Sequence, residues 1–269
     1  MPYRLLTHRE KAVECAGASI VGQSREVNED AWGVVEAADA FLVADGCGGL
    51  SSGRVAADLA VQAFAQSLSG RAGPPKAALP RQMDPLAVAV CEANARVFEA
   101  AQGAQRGMGS AFAAIRLDPP WLVSVVIGDC RIYRYRLGYG PSYSGADARG
   151  GVLARLTTDH DLAFEMFKGG ASLDEIRSLR ELHPNVITRA LGMGADLEVD
   201  VQYTRFAAND VYLLCSDGLT RQLPDADIRV IISDDRLSLA ERCERLVQAA
   251  DQRLGHDNVT ALLVRVLEP

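Results

Sequence analysis

No two of the six cysteines, Cys15, Cys47, Cys91, Cys130, Cys215 and Cys243, stand at C-x-x-C spacing. That excludes a zinc ribbon or a thioredoxin-like dithiol. Free thiols in a reducing cytoplasm are the reading that remains. Long apolar runs are missing too. No stretch reaches the roughly 18 residues of a membrane helix, and residues 1–19 lack the apolar core of a signal peptide. A soluble cytoplasmic protein with no membrane partner is therefore expected. Positive charge is short: 28 Lys and Arg face 35 Asp and Glu, a net charge of −7. That is the opposite of the basic balance of a nucleic-acid binder. Gly107-Met108-Gly109-Ser110 is not followed by Gly-Lys-Ser/Thr, so it is no nucleotide P-loop; a tight strand entry accounts for it better. Internal repeats and low-complexity tracts are absent.

What is present is an ordinary globular composition, 48% hydrophobic and 23% charged over 269 residues, enough for one large domain or two small ones. Short apolar runs end in turn residues. Phe41–Ala44 runs into Asp45-Gly46, Trp121–Ile127 into Gly128-Asp129, and Val211–Cys215 into Ser216-Asp217-Gly218, while Thr260–Val266 follows Asp257-Asn258. Their length, branching and boundaries predict strands. Helices are predicted over Ser52–Leu68, Pro85–Ala101 and Ser238–Leu254. Ser69–Met83 and Gly138–Gly151 read as loops. Asp161–Leu182 reads as a helical insert broken at Gly169-Gly170. Strands without strict helix alternation favour stacked sheets flanked by helices over a doubly wound parallel sheet.

Four aspartates take matching places: Asp45, Asp129 and Asp217 close apolar strands, and Asp257 opens one. In antiparallel pairs the end of one strand lies beside the start of the next. All four could then gather at one sheet edge, joined by the acidic pair Glu29-Asp30. Clustered carboxylates repel unless a cation neutralises them, and oxygen-only ligands suit Mg²⁺ or Mn²⁺. A lone Asp-Gly after a strand is merely a turn signal; four are harder to dismiss. Arg25, five residues before Asp30, is suited to hold a phosphate dianion beside such a centre, its plainer reading being a surface salt bridge. His256-Asp257 looks like the paired ligands of helical HD-type phosphohydrolases. That fold needs further histidines at helical spacing, and only His8, His160, His183 and His256 exist. His256 is therefore expected in a loop, and His160 in a hydrogen-bonded structural role.

These residues resemble the bacterial metal-dependent protein serine/threonine phosphatases of type 2C, the PPM family. The matching segments, in order, are Arg25-x-x-Asn28-Glu29-Asp30, Val43-Ala44-Asp45-Gly46-x-Gly48-Gly49, Gly107-Met108-Gly109-Ser110, Gly128-Asp129-x-Arg131-x-Tyr133, Leu156-Thr157-x-Asp159-His160, Ile187–Gly192, Ser216-Asp217-Gly218-Leu219 and Asp257-Asn258-Val259-Thr260. The resemblance implies an α+β fold, a four-layer α-β-β-α sandwich with two antiparallel sheets between helix pairs, spanning residues 1–269 as one domain. It implies hydrolysis of phosphoserine and phosphothreonine in proteins by metal-activated water, with two core Mn²⁺ or Mg²⁺ ions and no phosphoenzyme. By position, Asp45 bridges both metals, Gly46 offers its carbonyl, and Asp217 and Asp257 bind the second ion. Glu29 and Asp30 hold metal-bound water, and Arg25 grips the phosphate. Asp129 with Asp217 takes a third, weaker metal. The insert at 161–182 falls where relatives carry a flap. Phosphorylated protein substrates and a cognate Ser/Thr kinase are the implied partners.

Two positions depart from the family pattern. Cys47 stands where relatives have histidine or methionine, and its expected role is to fill space. Arg54 stands near a frequent glutamate. Two other functions compete. A catalytically silent phosphoprotein-binding scaffold of the same fold is disfavoured because no expected carboxylate is missing. A phosphatase for small phosphate esters remains open at this point.

Overall fold

The computed structural model describes residues 13–48, 52–69, 84–102, 107–138, 145, 147–183, 186–253 and 256–267. The loop predicted over Ser69–Met83 lies almost wholly outside them, as does half of Gly138–Gly151. The first half of the chain gives β1 (Val13–Ile20), β2 (Asp30–Val35), β3 (Ala40–Cys47), α1 (Ser52–Ser69), α2 (Pro85–Ala101), β4 (Gly109–Asp118) and β5 (Trp121–Ile127). Next come β6 (Arg131–Arg136), β7 (Val152–Arg155), α3 (Leu162–Lys168), α4 (Leu173–Leu182) and β8 (Gln202–Arg205). The chain closes with β9 (Val211–Cys215), α5 (Asp217–Gln222), α6 (Asp225–Ile232), α7 (Leu239–Asp251) and β10 (Val259–Val266).

Two five-stranded antiparallel sheets form, ordered β1-β10-β9-β6-β7 and β2-β3-β4-β5-β8. Strand alternation builds three layers of core. On β3, Leu42 and Ala44 face the helices while Phe41 and Val43 face the opposite sheet. On β10, Ala261 and Leu263 face outward while Leu262 and Val264 face inward. Side chains of period two with both faces buried require cover on both sides. α1 and α2 pack together over one sheet, and α7 packs on β1 and β10 with α5 and α6 beside it. The expected sandwich is therefore present, and among the described residues one outer layer has three helices, α5, α6 and α7, in place of a pair. The shortness of α5 and α6 leaves room for the extra element.

The helix ends follow from local chemistry. Asp84 accepts a hydrogen bond from the Leu86 amide at 2.8 Å, ahead of Pro85, a start that needs no amide donor from proline. Ser238 and Glu241 form a reciprocal cap that starts α7 one residue after the predicted boundary. The predicted insert resolves into α3 and α4, separated where Gly170 takes φ of 86°, a conformation that favours glycine.

Candidate metal centre

β2 and β3 pair so that Asp30 stands opposite Asp45. Asp129 occupies the connection that carries the chain from β5 in one sheet to β6 in the other. Asp217 opens α5 directly after β9, and Asp257 precedes β10. Four strand ends drawn from both sheets thus meet, as their positions in the sequence predict. Asp45, Asp129, Asp217 and Asp257 line one cleft of about 610 Å³, together with Glu29 and with Arg25 at its rim.

Asp30 behaves differently from the others. It lies buried behind the cleft, where Ser216 and Thr260 each donate a hydroxyl to Oδ2 at 2.7 Å. Its Oδ1 is buried with no hydrogen-bond donor. Burial pushes Asp30 up to about 6. Burial, then repulsion among the carboxylates, pushes Asp45 and Asp217 well above the ordinary range. A buried acid group gathered with others of the same sign is a standing demand for positive charge.

This demand has a measurable consequence. Asp30 moves from an ordinary 3.8 to about 6, so its stabilising contribution is full below the lower value and is lost as pH rises through the upper one. In chelator, the metal-free protein is expected to melt higher at about pH 5 than at about pH 7.5, and Asp30→Asn should shrink that difference. Equal differences in the two proteins would remove Asp30 as the cause.

The glycines fix the floor of the cleft. A Cβ on Gly46 would overlap the Gly53 carbonyl and lie 2.7 Å from the Glu29 carbonyl. The Gly46 amide already donates to that Glu29 oxygen at 3.1 Å. A Cβ on Gly218 would overlap the Asn258 carbonyl, so α5 starts hard against the entry to β10. Asn258 ties the remaining wall. Its side chain donates to the carbonyls of Val21 at 2.7 Å and Val27 at 3.0 Å, and accepts from the Glu29 amide at 2.8 Å. This tie holds the loop that carries Arg25 and Glu29. Asn258 was legible only as part of a motif, because its partners lie more than 200 residues away.

Arg25 pairs with Asp257 at 2.9 Å, so its salt bridge lies in the cleft and not on a remote surface. Sequence reasoning passed over Arg221. Its guanidinium contacts Asp217, reaches Asp129 at 3.4 Å and reaches Asp257 at 3.6 Å. The i,i+4 spacing from Asp217 was the available signal, but it carries meaning only once α5 is known to be a helix. Cys47 lines the cleft, and burial, then Asp129 and Glu29, push its thiol up. Arg54 turns away to Asp58 at 2.7 Å and to the Asn28 carbonyl at 2.9 Å. His160 is buried, accepting from the Gly128 amide at 3.2 Å, the structural role expected. His256 is a loop residue beside Ser24 at 3.1 Å, and His8 lies outside the described residues.

Among the described residues no three carboxylate, thiol or imidazole groups stand close enough together, as placed, to hold a metal ion by themselves. A closed four-ligand set is what structural zinc requires. Mg²⁺ and similar hard ions take one or two carboxylates and keep several waters. The open, oxygen-only set and the donorless Asp30 Oδ1 fit the second kind of ion.

Comparison with known proteins finds relatives over almost the whole chain. Residues 21–268 match the family described as Protein phosphatase 2C. The chain is 30% identical over 249 residues to "Serine/threonine phosphatase stp" of Listeria innocua serovar 6a, covering 90% of this chain and 92% of that one. The Mycobacterium tuberculosis serine/threonine phosphatase PstP/Ppp superposes with a TM-score of 0.76 at 28% identity, over 96% of this chain and 99% of that one. A PstP catalytic domain in complex with two manganese ions superposes at 0.74 and 29% identity, over 95% and 99%. No helix among the described residues is long and apolar enough to cross a membrane.

Proposed function

The chain belongs to the protein phosphatase 2C family, and we propose that it is a metal-dependent phosphatase of phosphoserine and phosphothreonine in proteins. The observation that carries this reading is the convergence of Glu29, Asp45, Asp129, Asp217 and Asp257 on one cleft with Arg25 at its rim. Because this carboxylate set is complete, catalysis is favoured over a silent scaffold. Two divalent cations, Mn²⁺ or Mg²⁺, would be held by Asp45, the Gly46 carbonyl, Asp217 and Asp257, with Glu29 and Asp30 acting through intervening water. When bound, such ions supply Lewis acidity toward a phosphate oxygen and make water a nucleophile near neutral pH.

The chain's own groups supply position and charge. Arg25, set by the loop that Asn258 ties down, would bind two phosphate oxygens with its planar fork. Cys47 packs toward Gly109 at the start of β4, which supports a space-filling role. The α3–α4 segment would be an insert on a single domain and form a flap beside the cleft. Its base is pinned where Asp161 bridges Ile187, a residue that itself lines the cleft. Six cysteines outside any disulfide support a reducing cytoplasm, where a cognate Ser/Thr kinase would make the substrates.

The decisive assay compares a phosphothreonine peptide with sugar phosphates in Mn²⁺ and in chelator. Turnover of the peptide, dependent on the cation, is expected. Full activity after exhaustive chelation, or a preference for the sugar phosphates, would overturn the reading. Arg25→Ala is expected to lower kcat/KM on the peptide about 10–100-fold, the scale for lost hydrogen bonds to a charged group, while calorimetric Mn²⁺ binding stays intact. An unchanged kcat/KM would return Arg25 to a structural salt bridge.

A further inference from the structure

The Asp129–Asp217 pair already has a cation. Arg221 lies four residues after Asp217 on α5, and its Nη2 contacts Asp217 Oδ2 and stands 3.4 Å from Asp129 Oδ2. Its Nη1 stands 3.6 Å from Asp257 Oδ2. The placement is built in. Gly218 is pressed against the Asn258 carbonyl, and Leu219 on α5 and Leu223 at its C-cap are buried, which seats the backbone that carries Arg221. A guanidinium is charged at every accessible pH. Tethered here, it faces the two carboxylates at an effective concentration that a weakly held free ion does not match.

We propose that Arg221 is a tethered counter-ion that takes the place of a third divalent cation between Asp129 and Asp217, so that this chain loads two ions and no more. The proposal rests on the metal-dependent reading above. It assigns Arg221 a positioning role: it holds Asp129 and Asp217 together against their mutual repulsion and frees the protein from a low-affinity ion at that place.

The test counts ions and does not depend on turnover. Metal-free full-length protein is titrated with Mn²⁺ alone, by calorimetry and by equilibrium dialysis with elemental analysis. The wild type is expected to saturate at two ions per chain, and Asp129→Ala should leave that count unchanged. Arg221→Ala should gain a third, weak site, and the double variant Arg221→Ala/Asp129→Ala should lose it again. Arg221→Lys, which keeps the charge, should stay at two and guards against a folding defect, with thermal melts checking each variant. A wild type that binds three ions, one of them lost in Asp129→Ala, overturns the proposal. So does an Arg221→Ala protein that folds and stays at two, and a raised KM in that variant would then make Arg221 a substrate ligand. A wild type that binds no divalent ion fails the phosphatase reading itself, a separate result.

Discussion

Asp45→Asn is expected to lower kcat on a phosphopeptide by at least about 10²-fold, the scale for losing a metal-held nucleophile, and at the same time to raise the melting temperature of the metal-free protein. The two effects have one cause. Asp45 is pushed well above the ordinary range by burial and by Asp30, Asp217, Asp129 and Asp257 around it. Without a cation, its charge is a cost that folding must carry. Asparagine keeps the shape and removes that cost, but it also removes the anionic ligand. Wild type should therefore gain more from added Mn²⁺ than the variant does, since a ligand that binds only the native state stabilises it by mass action. Melting curves with and without Mn²⁺, beside steady-state turnover, read both halves. Near-normal turnover would mean that Asp45 is a turn residue only. A lower melting temperature in chelator would mean that its charge is satisfied by the protein.

Gly46→Ala is expected to act through the backbone. The added methyl would overlap the Gly53 carbonyl at the start of α1 and crowd the Glu29 carbonyl at 2.7 Å. Both neighbours are main chain, so no rotamer change relieves the clash. β3 cannot back away without giving up the 3.1 Å bond from the Gly46 amide to Glu29. Overpacking of this kind costs about 1–3 kcal/mol or more, and here it also displaces the carbonyl proposed to face the metal. The unfolding free energy from denaturant titration should fall by that amount, with a lower midpoint, and activity should fall more than tenfold even in the folded fraction. A wild-type midpoint would show that α1 can retreat freely from β3.

The elements read well where punctuation is strong. β5, β9 and α2 begin and end where apolar runs or helical patterning meet proline, glycine or aspartate. The convergence of Asp45, Asp129, Asp217 and Asp257 was legible because each flanks a strand. α5 was not, since six residues beginning Asp217-Gly218 look like a turn. With it went Arg221, whose meaning depends on helical spacing. The burial of Asp30 was also beyond reach. It depends on Ser216 and Thr260, 186 and 230 residues away, and thus on how two sheets face each other. The local pattern of a strand carries no such information.

The place of β10 between β1 and β9 bears on how the protein is made. Asp257, Asn258 and Thr260, which complete the cleft, tie its entrance loop and seat Asp30, leave the ribosome after every other residue of the cleft. Until they do, β1 has no partner strand, and the loop holding Arg25 and Glu29 lacks its anchor. A chain cut before Asp257 lacks a cleft carboxylate and the tie on the Arg25 loop, and is expected to be inactive toward phosphoproteins however well its first sheet has formed. Translation itself delays the activity until the full set of carboxylates can assemble.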